Sequence, residues 1–173
     1  MPRLLDILFF FYFFTHIPIT IFIDLQALLP QKYFPQKTVE LKDWYCLHFR
    51  DPMMVDPPTW FQAFVGCEFL VQLPFFFVAA YGFFKGAEKC PWLRWPCVVY
   101  GSHVATTLIP IISHILLHDF STGKHPGPRN MEERFTLISI YCPYFFFPLF
   151  IMLDALFSSV YRHSLHLHQK KHR

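Results

Sequence analysis

The chain has 173 residues, of which 54% are hydrophobic and 20% aromatic, including 23 Phe, and its formal net charge is +3. With a mean hydropathy of +0.31, this composition excludes an ordinary soluble domain and points to a polytopic membrane protein. The positive surplus sits in the tail and the short connections rather than in a basic stripe interleaved with aromatics, which argues against nucleic-acid binding.

Four apolar stretches, at about residues 4–29, 60–84, 96–117 and 135–157, approach or exceed the length that crosses a hydrocarbon core. The predicted fold is therefore all-α: a single domain made of a four-transmembrane-helix bundle, followed by a basic tail over residues 158–173. The first stretch carries Asp6, His16 and Asp24 and lacks an A-x-A cleavage site. It reads as a retained signal anchor. Cys46, Cys67, Cys90, Cys97 and Cys142 have no regular spacing, so neither a disulfide framework nor a zinc motif follows.

Each span contains an interior proline: Pro18, Pro74, Pro110, and Pro143 with Pro148. A helical proline removes one hydrogen bond and frees the carbonyl four residues earlier, here that of Phe14, Leu70, Thr106, Ser139 or Tyr144. Thr20, Thr106, Thr107, Tyr141 and Tyr144 stand close by and are expected to satisfy those carbonyls. Four kinked helices should splay the bundle and leave a ligand cavity. The aromatic runs Phe9–Phe14 and Phe75–Phe77 read as lipid-facing or packing surface.

Between the first two spans, Leu41, Trp44, Tyr45 and His48 recur at helical spacing, which predicts a short amphipathic helix over the bundle mouth. Asp56, Pro57, Pro58 and Thr59 predict an N-cap and a proline-led first turn for the second span. Residues 121–130 are rich in Gly and Pro and read as irregular.

An even number of spans puts both termini on one side. Lys and Arg divide eight to seven between the two faces, which sets no orientation. Lys170 and Lys171, near the C-terminus, resemble the dilysine retrieval signal of endoplasmic-reticulum membrane proteins. That reading implies cytosolic termini and a lumenal loop over residues 30–58; a solvated basic stop-transfer tail is the alternative.

The strongest chemical signal is the pair of acids inside apolar runs, Asp24 and Glu68. A charge at the centre of a membrane helix costs roughly 2.5–3.5 kcal/mol on insertion scales, so it must be paired, protonated or turned toward a polar cavity. Counting about 1.5 Å per residue from the loop places both at similar depth, roughly 9 and 13 Å below the same face. Gln72 follows Glu68 by one turn, and Asp51 lies in the joining loop.

Acids converging in low dielectric cannot all ionise, so one should keep a proton and donate to its ionised neighbour. Such a site accepts a cation on an apolar frame, with Tyr141 and Tyr144 adding ring faces and hydroxyls. The competing reading makes Glu68 a structural acid that caps a kink or bonds His16. His103, His114 and His118 lack further ligands at their level and no HExxH is present, so no metal or other cofactor is expected.

The strings THIPITIFIDLQALLP (residues 15–30), FRDPMMVDPPTWF (49–61), CEFLVQLPFF (67–76), TTLIPI (106–111) and ERFTLISIYCPY (133–144) resemble the EXPERA group of four-span membrane proteins. That group includes the emopamil-binding sterol isomerase. The resemblance covers nearly the whole chain. It implies that Asp24 makes a salt bridge to a cationic amine and that Asp51 holds Asp24 in place. It also implies that Glu68, Gln72, Thr107 and Tyr144 line the same pocket, open toward the bilayer and admitting sterols.

The implied role is a receptor for amphiphilic amines and sterols in cholesterol homeostasis and trafficking. Its expected setting is a homodimer in the endoplasmic-reticulum membrane, with the nuclear envelope and lysosomal membrane as further sites and other cholesterol-trafficking membrane proteins as partners. The alternative is a sterol double-bond isomerase using the buried carboxylates as acid and base, with His16 as a substitute for a missing histidine. A third reading makes the chain a structural partner of other membrane proteins.

Overall fold

The computed structural model describes residues 2–121, 123, 125 and 127–161. Within them the chain is helical without strands, and four stretches are long and apolar enough to span a membrane: Leu4–Ala27, Thr59–Lys85, Pro91–Leu117 and Met131–Phe157. This is the all-helical four-span bundle expected from composition. Lys170 and Lys171 lie outside the described residues.

The first span is α1 (Leu4–Phe22) prolonged by a 3-10 turn at Asp24–Ala27, and α2 (Gln36–Phe49) and the single turn α3 (Pro52–Val55) follow. The second span joins α4 (Thr59–Cys67), a π-helical turn (Glu68–Gln72) and α5 (Leu73–Lys85). A 3-10 turn at Pro91–Leu93 leads into α6 (Arg94–Leu117), and α7 (Met131–Phe157) completes the bundle. The principal packing partners are α1 with α5 and α6 with α7.

The aromatic runs divide by helical period. Phe9, Phe13 and Phe76 are buried while Phe11, Phe14 and Phe77 are exposed. Phe13 stacks on Phe83 with ring centres 5.9 Å apart and lies 5.2 Å from the Tyr100 ring, tying α1, α5 and α6 together. Such ring pairs stabilise beyond the area they bury.

Pro18, Pro110, Pro143 and Pro148 lie inside α1, α6 and α7, but Pro74 stands at the start of α5, directly after the π turn. Pro74 has no N–H for the Leu70 carbonyl. The Leu73 N–H reaches back five residues to the Glu68 carbonyl, so the turn widens where the missing bond would have been.

Two local expectations are corrected. The Thr106 and Thr107 hydroxyls donate to the carbonyls of Ser102 (2.7 Å) and Val104 (3.0 Å), and those of Thr20 and Tyr141 to the Glu68 and Asp51 carboxylates, not to the proline-freed carbonyls. A β-hydroxyl in a helix reaches back one turn and cannot reach its own carbonyl. Nor does Asp56 cap the second span: Pro58 stays extended and takes the N-cap position of α4 without a side-chain bond. The capping acid in this loop is Asp51, whose Oδ1 accepts from the Met53 and Met54 amides at 3.0 and 3.3 Å at the start of α3.

Arginines close the ends of the antiparallel α6–α7 pair reciprocally. Arg134, in the first turns of α7, donates to the carbonyls of Ile115 (2.5 Å), Leu116 (2.9 Å) and His118 (2.8 Å) at the end of α6. Arg94, which opens α6, donates to the Ala155 carbonyl at 3.2 Å near the end of α7. Both supply partners for carbonyls that a helix C-terminus leaves free. Arg3 joins the start of α1 to the end of α7, bonding Asp6 and Asp154 at 2.8 Å each.

Close approach of α6 and α7 depends on Gly101, where an added Cβ would collide with the Pro148 carbonyl and the Met152 side chain. Gly101→Ala should lower stability by about 1–3 kcal/mol, seen as a lower melting temperature of the solubilised protein. Gly66→Ala serves as the comparison, because a Cβ there meets nothing within 4 Å. Equal melting temperatures for the two variants would contradict the packing described.

Candidate functional site

A cavity of about 320 Å³ opens among α1, α2, the second span, α6 and α7. His16, Asp24, Glu68, Gln72, Thr107, Tyr141 and Tyr144 all line it. Asp51 stands behind the wall, fully buried, and reaches the cavity through the two tyrosines it holds.

The acid wall is built from α1, the 3-10 turn that prolongs it and the π turn. His16, Thr20 and Asp24 follow at four-residue intervals and share one helical face. The buried Thr20 hydroxyl donates to Glu68 Oε1 at 2.5 Å, and His16 Nε2 lies 3.4 Å from the same oxygen. One ligand atom each from His16, Asp24 and Glu68 lies within 4.8 Å of the others. The contact between Glu68 and His16 is thus real, and it is part of the cavity wall rather than a separate structural bond.

His16 is held by rings. Phe76, Tyr144 and Tyr12 lie with centres 4.7, 4.9 and 5.3 Å from its imidazole. Its Nδ1 is buried without a hydrogen-bond partner among the described residues. Gln72 Nε2 lies 3.2 Å from His103 Nδ1, so His103 positions Gln72 from behind.

Asp51 organises the mouth. Its Oδ2 accepts from the Tyr45 hydroxyl at 2.9 Å and the Tyr141 hydroxyl at 2.7 Å, while Oδ1 caps α3. Burial pushes its carboxyl above the usual range, and the four donors pull the other way by favouring the charged form. Burial and the neighbouring Asp51 push the Tyr45 phenol up as well, which keeps it protonated as a donor. Asp51 therefore fixes α2, α3 and α7 against one another.

The helix expected at the mouth is α2, and Leu41, Trp44 and Tyr45 face the cavity from it. The floor and far wall are apolar, with Phe61, Val65, Val104, Leu108 and Ile111. The sequence placed Thr20 at a proline-freed carbonyl rather than at the acids, although its place midway between His16 and Asp24 is a legible signal. Met54 and the apolar wall carried no such signal, because their facing depends on how the spans are rotated.

Among the described residues the lining includes neither Lys nor Arg. The acids outside the cavity differ. Asp6 and Asp154 share Arg3, and Glu133 lies 3.5 Å from Arg50. A second, shallower hollow of about 400 Å³ holds Trp60, Ser113, His114 and His118, whose two imidazoles stack 4.4 Å apart.

Fold and site together define a four-span membrane protein with an acid-walled internal cavity. The EXPERA (EXPanded EBP superfamily) family model matches residues 38–155, and the chain belongs to that family. It is 52% identical to Sigma intracellular receptor 2 of Xenopus tropicalis over 160 residues, covering 92% of each chain. Its identity to Sigma intracellular receptor 2 of Homo sapiens is 44% over 155 residues, 88% of this chain and 87% of the relative. Efficient mitochondria targeting-associated protein 19 of Saccharomyces cerevisiae is 29% identical over 151 residues, 80% of this chain and 89% of the relative. The strings quoted above resemble the sigma-2 branch of the family, in agreement with these relatives.

Asp51→Ala leaves two tyrosine hydroxyls and two backbone amides without their acceptor. Stability should fall by about 3 kcal/mol, against roughly 1 kcal/mol each for Tyr45→Phe and Tyr141→Phe. Unfolding of the solubilised variants measures this, and an unchanged Asp51→Ala midpoint would remove Asp51 from the structural role described.

Proposed function

We propose that this protein is an intramembrane receptor for cationic amphiphilic amines and sterols, acting in cholesterol homeostasis and trafficking. The observation that carries the reading is the uncompensated acid wall: Asp24 and Glu68 line an apolar cavity with neither Lys nor Arg among its described lining residues. Even partly buried carboxylates are costly without a fixed counter-charge. A ligand that brings an ammonium group on an apolar frame supplies the charge and fills the cavity in one step.

In this reading Asp24 takes the ammonium, and Glu68, held by Thr20, lies beside it. Tyr141, Tyr144 and Trp44 offer ring faces to the cation. Gln72 and Thr107 supply polar contacts, and Asp51 keeps the tyrosines in place. The volume, about 320 Å³, falls in the lower part of the range for small-molecule sites. The name Sigma intracellular receptor 2 borne by close relatives supports a receptor class. The setting proposed for this role is a homodimer in the endoplasmic-reticulum membrane, reaching lysosomal membranes and working through other sterol-trafficking proteins.

A second reading, a sterol double-bond isomerase, is favoured by the 3.4 Å approach of His16 to Glu68 with Asp24 beside them. An alkene shift needs one group to protonate and another to remove a proton, and this cluster contains both kinds. It differs from the first reading in requiring product.

The test is binding of a labelled cationic amphiphile to the purified protein, with sterols as competitors and a product assay on the same samples. Asp24→Asn should abolish amine binding and leave binding of a neutral sterol. Equal loss of both would refute the ion pair. Glu68→Gln should be milder, since an amide still bonds its neighbours, and turnover of a sterol precursor would move the isomerase reading to first place.

A further inference from the structure

The geometry points to a second use of the acid wall: His16, Asp24 and Glu68 form a binding site for a divalent transition-metal ion of the size of Zn²⁺. The donor set is one imidazole and two carboxylates, three protein ligands of the kind zinc takes when it keeps an open fourth position. Here that position faces the cavity, which all three residues line.

The spacing fits. Zinc–nitrogen and zinc–oxygen bonds of about 2.0–2.2 Å set tetrahedral ligands roughly 3.4 Å apart. His16 Nε2 and Glu68 Oε1 are 3.4 Å apart, and the three ligand atoms lie within 4.8 Å of one another. Small side-chain rotations of Asp24 bring the third donor in. Imidazole in the set disfavours Mg²⁺ and Ca²⁺, which take oxygen ligands.

Charge gives an independent argument. With a monocation one of the two neighbouring acids must keep its proton, whereas a divalent ion offsets both as carboxylates in a cavity whose lining, among the described residues, has neither Lys nor Arg. Outer contacts are also in place: the Thr20 hydroxyl donates to Glu68 Oε1 at 2.5 Å and orients that carboxylate.

His16 supplies the second observation. It is 6% exposed, its Nδ1 has no hydrogen-bond partner among the described residues, and its Nε2 faces an oxygen that already accepts from Thr20. A buried imidazole normally has its nitrogens bonded. Its Nε2 is the ring nitrogen turned toward the acids, and an ion seated among Nε2, Glu68 and Asp24 would give that nitrogen a ligand bond.

The inference does not rest on amine binding, since metal can be measured without any amine. Where both hold, the ion and the amine compete for Asp24. The full-length protein in detergent, stripped with chelator and titrated with Zn²⁺, is assayed by elemental analysis after gel filtration. Co²⁺ substitution reads the coordination geometry through its visible absorption bands.

The measurement is made in a background with His48, His114, His118, His125, His163, His166, His168 and His172 changed to Gln, which leaves His16 and the Gln72-bonded His103 as the remaining imidazoles. About one Zn²⁺ per chain should remain, and Co²⁺ should show tetrahedral bands. Asp24→Asn, Glu68→Gln and His16→Gln are near in shape to the originals, and each should weaken binding about 100-fold or more. Gel filtration checks that each variant is folded. Zinc that disappears in the background protein, or that survives all three cavity substitutions, would overturn the site.

Discussion

A carboxylate placed in the hydrocarbon layer must be met by something polar, and the second span is shaped around that demand. Pro74 cannot donate to Leu70, so the helix widens into a π turn over Glu68–Gln72. The segment that absorbs the missing hydrogen bond is the segment that carries Glu68 and Gln72. Backbone accommodation and acid placement are therefore one event. The partner surface on α1 is equally local, with His16 and Thr20 one turn apart and both at the Glu68 carboxylate.

Charges in the bundle then fall into two kinds. Those at the helix ends complete the structure: Arg134 and Arg94 each close the neighbour's C-terminal carbonyls, and Arg3 bridges Asp6 and Asp154. Asp51 belongs with them in effect, because its four hydrogen bonds join α2, α3 and α7. Asp24 and Glu68 are the other kind. Their neighbours are hydroxyls, rings and an imidazole, none of which carries a fixed positive charge. An acid whose charge is answered within the fold holds the fold together, and one whose charge is not answered is available to a ligand.

The sequence revealed the parts of this plan that rest on composition and local spacing. Span number follows from hydropathy, and Asp24 and Glu68 stand out because an acid in an apolar run is expensive. The similar depth of the two follows from counting residues to the loop between them. Whatever depends on rotation about a helix axis was hidden. The π turn shifts the facing of everything after Glu68, and no residue pattern announces such a turn. The hydroxyls near the prolines were assigned to the wrong carbonyls, because their reach is set by side-chain length, not by sequence proximity. Asp56 looked like the cap of the second span, yet two consecutive prolines keep the chain extended past it, and α4 begins without a side-chain cap.

The cavity is asymmetric, and that asymmetry constrains what it can hold. Acids and imidazole occupy the wall made by α1, the 3-10 turn that prolongs it and the π turn. Tyr141 and Tyr144 come from α7, while Phe61, Val65, Leu108 and Ile111 form an apolar wall. On the proposed reading, an occupant with one cationic end and an apolar body has a single favourable orientation, with its charge at Asp24. A neutral sterol meets the same apolar wall but gains nothing from the acids beyond a hydrogen bond to its hydroxyl. The two ligand classes would then share volume while differing in dependence on Asp24. Burial of apolar area supplies the common part of their affinity, at about 25 cal/mol per Å². The ion pair supplies the difference, and its worth grows as the ligand excludes water from the acid wall.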